Sequence, residues 1–481
     1  MSVPQLVIPY VGADYAALVP TFLVAVTALV VVLADLIASK AIRRPLGIGI
    51  GIFGLALAGL VALQGWGHPI AAFGGAFVNG GFAIVFEEIV VVAAIFSLSL
   101  AYALGRDDQS GGAIALMLWS ASGAMLMAGA ANLLTIFLGL ELLSLALYCL
   151  CGMAGRPGAR EAALKYLILS STASAILLYG MALIFGATGS VALAALANPP
   201  ASMAFFNLGC GLFLVGICFK LSLVPFHVWT PDVYEGAPLP VTAFMSVVTK
   251  AGTLAVFARF AYAALPSAHA HAILFPVWIV AAISMIVGNV AALAQTDIKR
   301  LLAYSGIAQL GYIVAALAGT SSQGLRYAIF YLGAYTFMNL GAFAVVALLS
   351  RERDEGSDLR SFAGLGYRQP VLAGAMTFFL LSLAGLPPTA GFTGKILILA
   401  SAVDAGYVWL AVLLVIGTAI SVYAYFKIVR AMYGRTTGAT IVRPFSPAST
   451  LPWATVALCA VATLVLGLYP LTPSDVLPLV K

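Results

Sequence analysis

Lysine, proline, histidine and aspartate fall close together in "FKLSLVPFHVWTPDVYEGAP" (219–238), as Lys220, Pro225, His227 and Asp232. The stretch follows an apolar run long enough to lie inside a membrane. Hydrocarbon solvates an ammonium group poorly, and a proline there interrupts the helix that keeps the backbone hydrogen-bonded. Further ionisable groups lie within apolar runs: Glu141 in "ANLLTIFLGLELLSLALYCLCGM", Lys165 in "EAALKYLILS", Lys250 in "VTAFMSVVTKAGTLAVFARF" and Lys395 in "LSLAGLPPTAGFTGKILILA". An ionised side chain at mid-membrane costs about 2.5 to 3.5 kcal/mol even on a lenient insertion scale, so five facing lipid would cost on the order of 10 kcal/mol. They must face protein, water and one another.

Proton transfer is the chemistry such a set could perform. Burial disfavours the charged form of a lysine and a nearby carboxylate favours it. A buried lysine whose carboxylate partner moves can therefore gain or lose a proton near neutral pH. The expected order is Glu141 holding the proton on Lys220, then release to Lys250, and finally Lys395 as the exit station. Lys250 lies some 12 residues from either end of its run, about 18 Å at 1.5 Å per residue, too far for its side chain to reach the interface. Lys220 and Glu141 are similarly deep. Lys165 is one turn inside its run, where snorkelling to the interface is an equal reading. His227 titrates near neutrality and suits a relay beside Lys220 and Asp232, although a hydrogen-bonded structural histidine at a helix break is the plainer alternative. His68, His269 and His271 fall in outer loops and receive no role.

The elements that must position these groups follow from composition. The 481 residues are 63% hydrophobic and 8% charged, against about 25% charged in a soluble domain. A mean hydropathy of +1.08 implies many membrane spans of about 20 residues, an all-α polytopic fold. Apolar runs predict about fourteen helices, at 15–36, 46–64, 80–104, 111–129, 131–153, 161–187, 204–235, 238–262, 272–294, 298–319, 324–350, 371–404, 407–433 and 449–469. Alternate loops at 37–45, 105–110, 154–160, 295–300, 351–370 and 427–443 hold 16 of the 23 basic residues, while the other set holds only Arg259, Arg326 and Lys481. The positive-inside rule then places the first set in the cytoplasm and both termini outside. The net charge of +6 has this topological origin and is no sign of nucleic acid, which needs a basic face or arm. Five scattered cysteines, with a CxC at Cys149 and Cys151 but no CxxC, offer no clustered ligand set for zinc or iron–sulfur. "GIGIGIFG" lies within a span, outside the strand–turn–helix setting of a dinucleotide site. The first apolar run lacks a basic region before it and reads as a retained helix.

Two spans, 204–235 and 371–404, are too long for one straight helix, and both contain proline: Pro225 in the first, Pro387 and Pro388 in the second. A proline inside a span frees carbonyls, which is tolerable only where protein or a water-filled cavity surrounds them. Broken helices at matching places in two half-sequences mark inverted-repeat transporters. The breaks lie five spans apart, an odd number, so the two copies have opposite topology. Spans 4–8 (111–262) and 9–13 (272–433) are the candidate repeats, after a three-helix segment (1–110) and before a last helix (449–481).

With these residues on view, the chain resembles the antiporter-like membrane subunits of respiratory complex I, specifically the N type of NADH–quinone oxidoreductase. The resemblance covers almost the whole chain. It is carried by "FKLSLVPFHVWTPDVYEGAP", "KRLLAYSGIAQLGY" (299–312), "EAALKYLILSSTASAILLYGMALIFG" (161–186) and "LSLAGLPPTAGFTGK" (381–395). The N type is favoured because the M-type relative has glutamate where Lys395 stands. The L-type relative has a long lateral helix after the last span, whereas this sequence stops at Lys481. The resemblance implies fourteen helices, two five-helix inverted repeats and a hydrophilic axis of Glu141, Lys165, Lys220, Lys250 and Lys395, with His227 after the first break. It implies no redox cofactor in this chain; FMN, iron–sulfur clusters and quinone are expected in partner subunits. The implied partners are an M-type subunit and the small K-, J- and A-type subunits, in a bacterial inner membrane. Glu87 and Glu88 depart from the family pattern and read as charge at the outer interface. Rival readings are a subunit of a multi-subunit sodium/proton antiporter or membrane-bound hydrogenase, a non-transporting scaffold, and a quinone-binding subunit.

Overall fold

The structure, a computed structural model, describes residues 11–103, 111–198, 200–265, 267–350, 357–434 and 450–470. Both chain termini therefore lie outside the described residues, as do Arg106, Arg351, Arg353, Arg435, Arg443 and Lys481. Among the described residues seventeen helices follow one another: α1 Val11–Ile37, α2 Arg43–Gln64, α3 Gly81–Ala103, α4 Gly111–Gly129, α5 Leu133–Gly152, α6 Pro157–Thr188, α7 Met203–Lys220, α8 Trp229–Gly236 and α9 Leu239–Arg259. After these come α10 Ser267–Ala294, α11 Ile298–Ala316, α12 Ser322–Leu349, the single turn α13 Leu365–Arg368, α14 Pro370–Ala384, α15 Ala390–Asp404, α16 Val408–Tyr433 and α17 Thr450–Leu468. One feature of the loops was not anticipated. A hairpin of β1 (Ile70–Ala72) and β2 (Phe77–Asn79) joins α2 to α3, turning through Gly74 and Gly75 at φ +64° and +84°.

Twelve of these helices are long and apolar enough to cross a membrane. The expected spans at 298–319 and 371–404 are not among them. The first region forms α11, which starts with Lys299 and Arg300, and the second is cut into α14 and α15. The expected span 204–235 is likewise cut, into α7 and α8. Arg259, counted with the outer loops although inside the expected span 238–262, sits in the last turn of α9 and is buried. His271 also lies in a helix, α10, where its exposed ring stacks on Phe275 and Tyr407.

Helix ends are closed by chemistry visible in the sequence. Asn132 accepts from Thr135 N at the start of α5, Asp297 from Arg300 N at the start of α11, and Ser321 from Gly324 N at the start of α12. Basic side chains close opposite ends: Arg44 donates to the carbonyls of Ala101 and Tyr102, and Lys427 to those of Leu293 and Gln295. Helices of the periphery expose leucine, valine and phenylalanine as a lipid-facing surface demands, whereas every residue of α9 is buried. Small residues let the helices approach. A Cβ on Gly180 of α6 would stand 2.6 Å from the Phe213 nitrogen of α7, so only glycine permits that crossing.

Candidate functional site

The first interruption runs from Leu221 to Val228, between α7 and α8, and the Val224–Pro225 peptide is cis. Each carbonyl freed at the end of α7 has a donor. Leu223 N takes Cys218 O, Trp229 Nε1 takes Phe219 O at 3.0 Å, and Lys250 Nζ takes Lys220 O at 2.9 Å. Lys250 also donates to Ser222 Oγ and rests 5.0 Å above the Trp229 ring. Lys220 points the other way, donating to Ser144 Oγ of α5 at 2.7 Å and to Ser170 Oγ of α6 at 2.6 Å. The rings of Tyr148 and Tyr166 flank its ammonium at 5.9 and 5.3 Å. Lys220 and Lys250 are 2% and 3% exposed, and α9 thus brings the second lysine onto the end of the helix that carries the first.

The second interruption, Gly385 to Thr389 between α14 and α15, carries a cis Pro387–Pro388 peptide. Here Lys395 Nζ, 4% exposed, reaches back from α15 to Leu383 O at 2.9 Å and Ala384 O at 3.1 Å. Gln309 of α11 donates to Leu383 O as well, and its own oxygen accepts from Tyr331 of α12. Tyr425 of α16 bonds both Gln309 and Ser305, while Lys395 lies 5.1 Å over the Tyr312 ring. Between the two breaks, Asn339 of α12 donates to Ser246 of α9, one turn before Lys250. Polar groups thus cross the core from Lys220 through Lys250, Ser246 and Asn339 and, about 12 Å further along α12, from Tyr331 through Gln309 to Lys395, a file with one wide step.

Several expected partners do not meet. Glu141 is not ion-paired with Lys220 among the described residues; its carboxylate accepts from Ser174 Oγ of α6 at 2.6 Å and is only half-buried. The reason is helical phase. Ser144, not Glu141, is on the face of α5 that meets Lys220, while Leu138, Leu142 and Leu145 around Glu141 are exposed. Lys165 stands outside the file. It binds Glu161, four residues before it, and Asp232, both at 2.8 Å. Asp232 also pairs with Arg300 at 2.6 Å, so His227 is not its partner. His227 makes no hydrogen bond to Lys220; its ring packs 6.3 Å from Tyr304 and its Nδ1 is buried without a partner. Of the acidic pair on α3, Glu87 is not the interfacial charge expected of it, since it is completely buried among neighbouring helices, whereas Glu88 is partly exposed.

Lys165, Asp232, Glu235 and Arg300 surround instead an open polar cavity of about 430 Å3, with Arg156 and Glu161 at its rim. It is large enough for many waters and ends one short helix, α8, away from Trp229 and Lys250. Sequence reading missed the neutral members of the file. Ser144, Ser170, Ser222, Ser246, Gln309, Asn339 and the tyrosines carry no cost signal in an apolar run, because hydroxyls and amides are common helix glue in membranes. Only their helical spacing from the lysines could have pointed to them.

The NADH:quinone oxidoreductase/Mrp antiporter transmembrane family matches residues 130–421, which spans both breaks. The chain belongs to this family. Within it, the chain is 39% identical to NADH-quinone oxidoreductase subunit N 1 of Symbiobacterium thermophilum, over 97% of this chain and 98% of that one. A chain of respiratory complex I from Thermus thermophilus, solved with bound aureothin, superposes with a TM-score of 0.81 at 37% identity, covering 94% of this chain and 97% of that chain. A chain of the Mrp complex from Dietzia sp. shares the fold alone, with a TM-score of 0.81 at 22% identity over 94% of each chain. The protein is thus an antiporter-like, multi-pass membrane subunit of the N-type family.

Proposed function

We propose that this chain is the proton-translocating N-type membrane subunit of a bacterial NADH:quinone oxidoreductase, and that Lys220, Lys250 and Lys395 carry the proton. One observation supports the reading above all others: three almost completely buried lysines stand at the two helix breaks, two of them on the freed carbonyls. An ammonium buried without a carboxylate is held by neutral dipoles alone, which leaves the proton exchangeable. Glu141, half-buried beside an exposed leucine face, is the group through which a neighbouring subunit would act on Lys220 across Ser144 and Ser174. Lys165 and Asp232 shape the mouth from which protons enter, and His227 lines the first break.

Residues 111–262 and 272–433 act as the two inverted halves, with 1–110 and 449–481 as accessory segments. Both termini face the periplasm and the basic loops the cytoplasm. The partners are the M-type antiporter-like subunit and the small K-, J- and A-type subunits. FMN, iron–sulfur clusters and quinone belong to other polypeptides of the complex. The test is Lys250→Ala in the assembled complex, reconstituted in vesicles, with NADH oxidation and proton uptake recorded together. Retained assembly with lost translocation is expected. Unaltered proton transport per electron would reject both the role of Lys250 and the transporting reading in favour of a scaffold.

A further inference from the structure

The wide step in the polar file lies between Asn339 and Tyr331, which stand eight residues apart on α12. That separation is about 12 Å of helix, more than one hydrogen bond or one water spans. Midway between them is Tyr335, 1% exposed and so far without a part in the file. Four residues turn a helix by about 400°, so Tyr335 lies about 6 Å and 40° from each neighbour, on the same side of α12. Its hydroxyl has no hydrogen-bond partner among the described residues, whereas the hydroxyls of Tyr331 and Tyr425 are both bonded.

Contacts on two sides place that hydroxyl. On α11, a Cβ built on Gly306 would stand 2.9 Å from Tyr335 Oη, and no other atom of another helix would come within 4 Å of it. Gly306 is one turn before Gln309, which accepts from Tyr331, so these two contacts set α11 and α12 antiparallel in one register. Ser305, beside Gly306, is bonded to Tyr425. α9 is antiparallel to α12 as well: Asn339 donates to Ser246 in its first half, and Tyr262, just past its end, donates to Ser321 O. One turn from the Ser246–Asn339 contact, Lys250 on α9 and Tyr335 on α12 therefore come level. Each is turned only about 40° from that contact. Tyr234 of α8, whose ring packs against the Trp229 beneath Lys250, is close enough for its hydroxyl to interact electrostatically with that of Tyr335, and so is Tyr425. The Tyr335 hydroxyl thus lies between groups of the first break and groups of the second.

We propose that the Tyr335 hydroxyl carries the proton between the two halves of the molecule, joined by water in the space beside Gly306 to Asn339 on one side and Tyr331 on the other. Its oxygen accepts a proton from the side of Lys250 while its own O–H bond breaks towards Tyr331. The phenol ends neutral as it began, and no electron moves. A step of about 6 Å takes one water, because two hydrogen bonds of about 2.8 Å cover it end to end. Glycine at 306 then has a reason, since a methyl group there would take the place of that water. The inference rests on the translocating reading above and names the residue that links its first two lysines to the third.

Protons moved per NADH oxidised in vesicles holding the assembled complex provide the test, with the Tm of the complex measured alongside. Tyr335→Phe removes one oxygen and should assemble, with proton transport falling about tenfold or more. Gly306→Ala crowds the hydroxyl and should lower both transport and Tm. The double variant separates relay from packing: with the hydroxyl gone the methyl fits, so Tm should recover while transport stays low. Transport that recovers together with Tm, transport unchanged in Tyr335→Phe, or a Tyr335→Phe complex that does not assemble gives Tyr335 a packing role and overturns the proposal. Lys250→Ala separates the two readings. Transport lost there but intact in Tyr335→Phe removes only this link, whereas transport intact in both removes the translocating function itself.

Discussion

At the first break the Lys220 carbonyl is taken by an ammonium from another helix, α9, whereas at the second the carbonyls of Leu383 and Ala384 are taken by Lys395 from the far half of the same broken helix. The first break also concentrates charge. Two lysines share it, and because Lys250 binds the carbonyl of Lys220 itself, a proton leaving one relieves repulsion on the other. The second break holds one lysine among an amide and phenols, Gln309, Tyr312, Tyr331 and Tyr425. The same interrupted backbone thus serves two purposes: a coupled pair at one site and a lone terminal station at the other. A left-handed residue follows each first half, Ser222 at φ +61° and Gly385 at φ +88°, which turns the chain away so that a lysine can enter.

The largest difference is expected from the lysines. Lys220→Met should abolish the coupled pair and cut proton transport by about tenfold or more, each decade corresponding to 1.36 kcal/mol of barrier. Flux in vesicles is the measurement, and a smaller loss than from Lys395→Met would invert the comparison. Gly385→Ala ranks next. It places a Cβ 3.0 Å from Lys395 Cδ and forces a left-handed alanine, costing roughly 1–2 kcal/mol. A lower Tm with weaker pumping is expected, while an unchanged Tm would show that this turn does not fix Lys395. Tyr331→Phe removes the donor to Gln309 and should cost about 0.5–1.5 kcal/mol. Pumping should fall less than in Lys395→Met, because Gln309 keeps its bonds to Leu383 O and Tyr425. Smallest is Arg300→Ala at the polar mouth, where half-exposed pairs contribute about 0–1 kcal/mol. Its effect should appear in the salt dependence of proton uptake more than in thermal stability.

Cost made part of this molecule legible. Charges and prolines in apolar runs are expensive, so Lys220, Lys250, Lys395 and both breaks stand out in the sequence alone, and apolar runs of span length mark most helices. Lys299 and Arg300 fall both in the basic loop 295–300 and at the start of the expected span 298–319; they stand in the first turn of α11, because a helix start tolerates cations when its neighbours supply acceptors, as Ala237 O and Asp232 do. Pairing was not legible. Glu141 and Ser144 are three residues apart on α5, and which of them meets Lys220 depends on how α5 is rotated against α6 and α7. Glu87 was misread for a related reason: proximity to a helix start suggested an interface, while burial is set by helices far away in sequence.

The direct test of a lysine-carried proton is the number of protons moved per NADH oxidised in the assembled complex when Lys220, Lys250 and Lys395 are replaced singly by methionine, with electron transfer through an uncoupled membrane as control. A ratio that falls in all three variants while assembly and uncoupled electron transfer persist is the expected result. A ratio equal to that of the unaltered complex in any one of them would contradict a path that runs through both helix breaks.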